Sequence, residues 1–343
     1  MKVAALVSIS LALLLAGCDT PKASSTPAST DDTASTSTKT GQSDTTFKVA
    51  LLTPGPVNDA GWSAMAYDGL MGIKSDMGAD VSNEEAEGEG KIRDAMRTYA
   101  QKGYNLVFGH GYEYNAPGVE LAADFPNTVF VSSSGDKTAK NAGAFRFELE
   151  QGFYLAGMMA AKMDKTGHVA MIGGDKVPSI QSTFDAFRAG AKSVKPSLDV
   201  IQIYTGNGTD VAAAKAATET AIGQGADFVI HQANAAAQGV FDACKEKNVY
   251  AFGANADQNS NASGVVIGSA VIIAKPAFLA LAKSVKDGTY KGSVEKFGMK
   301  DGAIDFVLNP NLQSKVPADV QKLLQDTEAK IKSGQVSVPE ATF

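Results

Sequence analysis

Cysteine, histidine and tryptophan are scarce in this chain of 343 residues, which holds two, three and one of them. Two cysteines cannot build a disulfide framework, so the body must rest on an apolar core, and 44% hydrophobic residues are enough for one. His110, His168 and His231 lie far apart, with no His-x-x-x-His spacing and no cysteine pair nearby, so the sequence offers no metal site. An excess of positive charge is also missing. With 31 Lys+Arg against 37 Asp+Glu the net charge is −6, which excludes a strongly basic nucleic-acid binder. There is no Gly-x-Ser-x-Gly elbow after a strand and no Gly-x-x-x-x-Gly-Lys-Ser/Thr phosphate loop. Gly109-His110-Gly111 lacks the third glycine and the helix start of a dinucleotide fingerprint, so no cofactor is expected.

The start of the chain indicates a compartment. Met1-Lys2 precedes an apolar run over residues 3–16, too short to span a bilayer well but of the length of a secretory signal, here residues 1–17. The run ends Leu15-Ala16-Gly17-Cys18, which resembles the lipobox of bacterial lipoproteins. That resemblance implies a lipid on Cys18, attachment to the membrane, and a place in the cell envelope facing outside the cytoplasm, in the periplasm or on the cell surface. Residues 18–46 are almost all small or polar and have nothing to bury, so they are expected to be a disordered tether. Some 28 residues of this kind reach roughly 30 Å. Cys244 sits in an apolar helical pattern and reads as a buried free thiol.

From Phe47 onward, short β-rich runs alternate with helical spacing. Strands are expected at 48–52, 106–109, 128–131, 168–172, 200–204, 227–230, 249–252 and 265–267, and helices at 62–77, 91–102, 151–163, 180–194, 210–223 and 235–247. Uninterrupted apolar strands between amphipathic helices predict an α/β body of parallel sheets covered on both faces. The rhythm runs twice, before and after about residue 165, which gives two doubly wound lobes. The first lobe is expected over 47–165 plus about 271–292, and the second over 166–270 plus about 293–343. Ligands of such sheets bind beyond the carboxyl ends of the strands, so the segments 53–62, 110–114, 132–134, 173–177, 231–234 and 253–258 are the site candidates.

The loop after the first strand carries Asn58, Asp59 and Trp62. An amide offers donor and acceptor together, a carboxylate accepts, and an indole offers a flat apolar face, a set that suits a planar, heteroatom-rich ligand. Capping of the following helix by Asn58 or Asp59, with Trp62 packed beneath, fits the same spacing equally well.

The run FKVALLTPGPVNDAGWSAMAYDGL, with GHVAMIGGDKVPSIQSTFDAFRAGAK and the Asn-Ala-Asp-Gln after a late strand, resembles the basic membrane protein family. These are bacterial lipoproteins that serve as substrate-binding components of ABC importers, and several of them bind purine nucleosides. The resemblance covers essentially all of 47–308. It implies the type I periplasmic-binding-protein fold, with two lobes, a hinge and a ligand cleft between them. By position it implies that Asn58 and Asp59 contact a base, that Trp62 stacks on it, and that Asp257 binds ligand hydroxyls or a ring nitrogen. Phe184 would line the cleft or simply pack. His231 stands where many members carry an aromatic residue, followed by Gln232 and Asn234. Where an aspartate often ends a first-lobe strand, Ser132, Ser133 and Ser134 offer hydroxyls. A lysine common in the family is Ile272 by spacing, with Lys275 three positions on. His110 follows a first-lobe strand and is placed in the cleft, where it donates to a ligand or touches the other lobe.

The expected function is capture of a purine nucleoside or nucleobase and its delivery to an ABC permease, by a monomer without catalytic residues. The alternatives are a receptor for a simple sugar or another small polar ligand, a non-transporting sensor, and a surface enzyme with His110 or His231 as general base.

Overall fold

Two strand–helix series account for the body of the chain, which the computed structural model describes over residues 46–340 apart from Ala60. The expected signal peptide, the tether and Cys18 lie outside the described residues. The first series is β1 (Lys48–Thr53), α1 (Trp62–Met77), β2 (Asp80–Glu85), α2 (Glu89–Gln101), β3 (Leu106–Gly109), α3 (Asn115–Leu121), β4 (Val129–Ser133) and β5 (Ala142–Phe147). The second is α4 (Glu150–Met163), β6 (His168–Gly173), α5 (Pro178–Val194), β7 (Asp199–Tyr204), α6 (Val211–Gly223), β8 (Phe228–Gln232), α7 (Ala237–Lys247), β9 (Tyr250–Asn255) and β10 (Val266–Ile272). The chain then adds α8 (Ala274–Lys286), β11 (Val294–Phe297), β12 (Ile304–Leu308) and α9 (Ala318–Lys332).

The strands form two sheets of six, ordered β11-β5-β4-β3-β1-β2 and β12-β10-β9-β8-β6-β7. Pairing is parallel throughout except for the antiparallel β10–β12 pair at one edge. Inner strands such as β3, β8 and β10 are buried along their whole length, as continuous apolar runs covered on both faces require. This is the predicted α/β architecture of two doubly wound lobes.

The chain crosses between the lobes at other points than expected. Helix α4 belongs with the second sheet, not the first. It packs on α5, α9, β10 and β12, and its contact with α5 brings backbone against backbone. A Cβ on Gly157 would lie 2.1 Å from the Phe187 carbonyl oxygen, and one on Gly190 would lie 2.0 Å from that of Tyr154. The first crossing therefore falls at 148–149, not near residue 165. After β10 the chain returns to pack α8 on α1, with Phe278 stacked on Phe108 at 4.4 Å. Strand β11 still belongs to the first sheet, beside β5, so the third crossing lies at 298–303 and not at about 292.

The crossings are tied together. The Gln151 side chain donates to Glu148 Oε2 (2.9 Å) and accepts from the Met299 backbone N–H (2.7 Å), and the Ile273 N–H donates to the Ala303 carbonyl (2.8 Å). Cys244 is buried in the second lobe, where desolvation pushes its thiol up to about 12.

Candidate functional site

The first βα turn is shaped by Asp59. Its carboxylate accepts from the backbone N–H groups of Gly61, Ser63 and Ala64, each at 2.9 Å, and so satisfies donors that the start of α1 leaves without intrahelical partners. The expected ligand contact is thus committed to the helix. Fixing the first turn of α1 fixes Trp62, whose indole lies flat on the His110 ring with centroids 3.9 Å apart and planes 22° apart. The indole N–H donates to the His110 carbonyl (3.3 Å), and His110 Nε2 lies 2.9 Å from the Trp62 carbonyl. Ser133, at the end of β4, completes the group, with Oγ 2.8 Å from His110 Nδ1.

Beyond these strand ends opens a cleft of about 810 Å³, bounded by Pro54, Trp62, Tyr112, Ser133 and Ser134 from the first lobe and by Asp175, Ser179, Thr183, Gln232, Asn234 and Asn255 from the second. Non-glycine residues in the left-handed backbone region gather here. Ser134 (φ 84°), Asn234 (φ 45°) and Asn255 (φ 67°) all line the cleft. Such conformations are sparsely populated and collect where backbone must be aimed at a ligand. Asn255 also donates to Gln232 Oε1 (3.2 Å), joining the ends of β9 and β8.

At the base of the cleft, Arg146 of β5 pairs with Glu150 of α4, and both are almost fully buried. The Ser182 hydroxyl donates to Glu150 Oε1 (2.7 Å). A charge pair this far from water holds only with further hydrogen bonds, and here it spans the first crossing between the lobes. Sequence reading missed it, because β5 was not anticipated and so no strand end was sought there.

Four of the expected site residues therefore gather at one cleft wall or another: Trp62, Ser133, Gln232 and Asn234. His110 touches the site through Trp62 and Ser133 but is itself buried, and desolvation lowers its pKa to about 3. His231 is not a stacking surface. It is buried edge-on to Phe241, Nδ1 accepts from the Ala233 N–H (3.3 Å), and Nε2 lies 2.9 Å from Gln258 Oε1. Burial lowers its pKa to about 4. With both nitrogens of each ring engaged, neither imidazole has an atom left to take a proton from a ligand.

Phe184 lies wholly in the core, against Phe153 and Tyr204, and offers the cleft no face. Asn58 is exposed outside this cleft. Asp257 accepts from the Asn259 N–H (3.0 Å) and lines a neighbouring crevice of about 360 Å³ with Asp68 and Lys275. The Lys275 ammonium is paired with Asp76 at 3.0 Å. Among the described residues no cluster of three or more His, Cys, Asp or Glu could hold a metal, and no helix is long and apolar enough to cross a membrane.

A family model described as ABC transporter substrate-binding protein PnrA-like (Bmp) matches residues 46–342. The chain is similar to a purine-binding protein of Brucella abortus, 30% identical over 85% of this chain and 82% of the relative. It is also similar to an ABC transporter nucleoside-binding protein of Lactococcus lactis, 28% identical over 98% and 99% of the two chains. A solved ABC transporter solute-binding protein from Conexibacter woesei shares the fold, with a TM-score of 0.70 at 23% identity over 86% of this chain and 99% of that one. Two parallel-sheet lobes, a cleft at facing strand ends and a family match across the whole described body lead to one assignment: the chain belongs to the PnrA-like (Bmp) family of ABC transporter substrate-binding proteins.

Proposed function

We propose that this chain captures a purine nucleoside or nucleobase between its lobes and hands it to an ABC permease, while held to the membrane by lipid on Cys18. The observation that carries the reading is the cleft itself, in which an indole braced from behind faces polar strand-end groups of the opposite lobe. A planar heterocycle laid on Trp62 meets the amides of Gln232, Asn234 and Asn255 at its edges, and Ser133 beside the indole. Base stacking on an aromatic ring contributes about 1–3 kcal/mol, and the amides supply both donors and acceptors. Asp59 serves indirectly by holding α1. Asn58 and Asp257, which lie outside the main cleft, join the site when the lobes approach each other. No covalent chemistry is needed. The relatives named for purine and nucleoside binding support this choice of ligand over a simple sugar.

The test is a thermal-shift screen of protein unfolded and refolded to strip carried ligand, against purines, pyrimidines, their nucleosides and simple sugars. A ligand at 100 times its dissociation constant adds about 2.7 kcal/mol of stability. Selective stabilisation by purines or their nucleosides is expected, whereas stabilisation by sugars alone would replace the cargo. For the anchor, Cys18→Ser should move the protein from the washed membrane fraction to the soluble one. Retention of that variant on the membrane would refute attachment through lipid.

A further inference from the structure

The His110 bonds determine what Ser133 can offer a ligand. The Trp62 carbonyl oxygen, 2.9 Å from Nε2, is an acceptor only, so Nε2 must carry the ring proton. Burial keeps the ring neutral above a pKa of about 3, so Nδ1 is then a bare lone pair. Its partner at 2.8 Å is the Ser133 hydroxyl, which must donate its single proton there. No other side-chain bond of Ser133 is formed among the described residues, and the residue lines the cleft.

We propose that Ser133 is a specificity-determining residue that acts toward the ligand only as a hydrogen-bond acceptor, so the cleft selects cargo presenting a hydroxyl or N–H donor beside Trp62. A serine is ordinarily ambivalent and turns its proton to suit its partner. Here the relay from the Trp62 carbonyl through His110 removes that freedom and makes Ser133 behave, in hydrogen-bonding sense, as a carbonyl oxygen would. A ligand group that can only accept meets lone pair against lone pair. Sites built to bond a hydroxyl or amine reject the analogue lacking it strongly, because their own buried group is left unpaired. The same relay makes His110 a positioning residue, since it supports the indole with its face and the hydroxyl with its edge.

The proposal rests on the purine reading for its choice of probes, and the experiment separates the two. Adenosine binding is compared by calorimetry with that of its 2′-, 3′- and 5′-deoxyfluoro analogues, in which fluorine keeps the size of the hydroxyl but cannot donate, and with purine riboside, which lacks the 6-amino group. One of these deletions is expected to weaken binding at least tenfold in the parent. The loss should vanish in Ser133→Ala and return in Ser133→Thr. In parallel, ¹⁵N NMR of the imidazole should show His110 protonated at Nε2 and bare at Nδ1. Equal affinity across the analogues, unchanged discrimination in Ser133→Ala, or a proton on Nδ1 would each overturn the proposal. If neither adenosine nor the other purines bind, the purine reading fails, and the imidazole spectrum still decides whether Ser133 is confined to accepting.

Discussion

At the scale of single residues, Trp62 and the two buried histidines carry the sharpest expectations. Trp62→Ala should weaken ligand binding by about 1–3 kcal/mol, measured by calorimetry, because it removes the stacking surface. An unchanged dissociation constant would remove Trp62 from the site. The histidines set a pH dependence of stability whose sign is fixed. In the native protein His110 and His231 titrate near 3 and 4, whereas an unfolded histidine titrates near 6.5. Above about pH 6.5 neither state binds these protons and the stability is fully present. Below it the unfolded chain takes up protons that the buried rings refuse, and each ring removes about 1 kcal/mol per pH unit. Urea unfolding should therefore lose free energy between pH 7 and pH 5, before most carboxylates titrate, and His231→Gln should flatten the slope. A free energy that stays level across that window would contradict the neutral buried rings. The role of Asp59 could not be settled from spacing, because a carboxylate three residues before an indole serves a ligand and a helix start equally well. Only the three backbone bonds at 2.9 Å separate the two.

At the scale of elements, the strands buried on both faces were the most legible, and the edge strand β7, DVIQIY, was legible despite its partial exposure because valine, isoleucine and tyrosine fill it. Strand β2 reads DVSNEE and lies at a sheet edge, largely exposed, so no apolar run betrays it. Strand β11, VEKF, is hidden for the same reason. In β5, AGAFRF, small residues and a buried arginine replace the β-branched side chains that mark a strand. Helix α8 has Pro276 in its first turn, a residue tolerated at a helix start that nevertheless reads as punctuation in the sequence. Helix α4 was found but given to the wrong lobe, since an amphipathic pattern tells that a face is buried and not against what. Helix α1 supplies the element-scale prediction. Asp59→Ala strips the acceptor from three backbone donors and should lower stability by about 1–2 kcal/mol while loosening Trp62. Chemical unfolding checks the first part and ligand affinity the second. A variant with the parent's midpoint and slope would show that the helix start has another support.

At the scale of the whole molecule, the cleft combines charges that no linear motif displays. Arg146 is paired with Glu150, whereas Glu113, Asp136 and Asp175 line the cleft and form no side-chain ion pair among the described residues. An anionic ligand therefore meets like charge on both sides. Nucleoside 5′-monophosphates should bind at least tenfold more weakly than the parent nucleosides, with the gap narrowing as salt rises. Equal calorimetric affinities for the two would contradict this reading of the opening. Asp175 and Asn255 fell within strand-end segments named from the sequence, and the fold was needed to place both on the second-lobe wall of one cleft. Both lobes are assembled from separated stretches of sequence, because the chain passes between them at 148–149, beside residue 273 and at 298–303. Transplanting one lobe whole from a relative by recombination would take three breakpoints, all inside the hydrogen-bonded hinge. Cargo preference in this architecture is thus far easier to change by point substitution at strand ends, such as 132–134 and 231–234, than by exchange of modules.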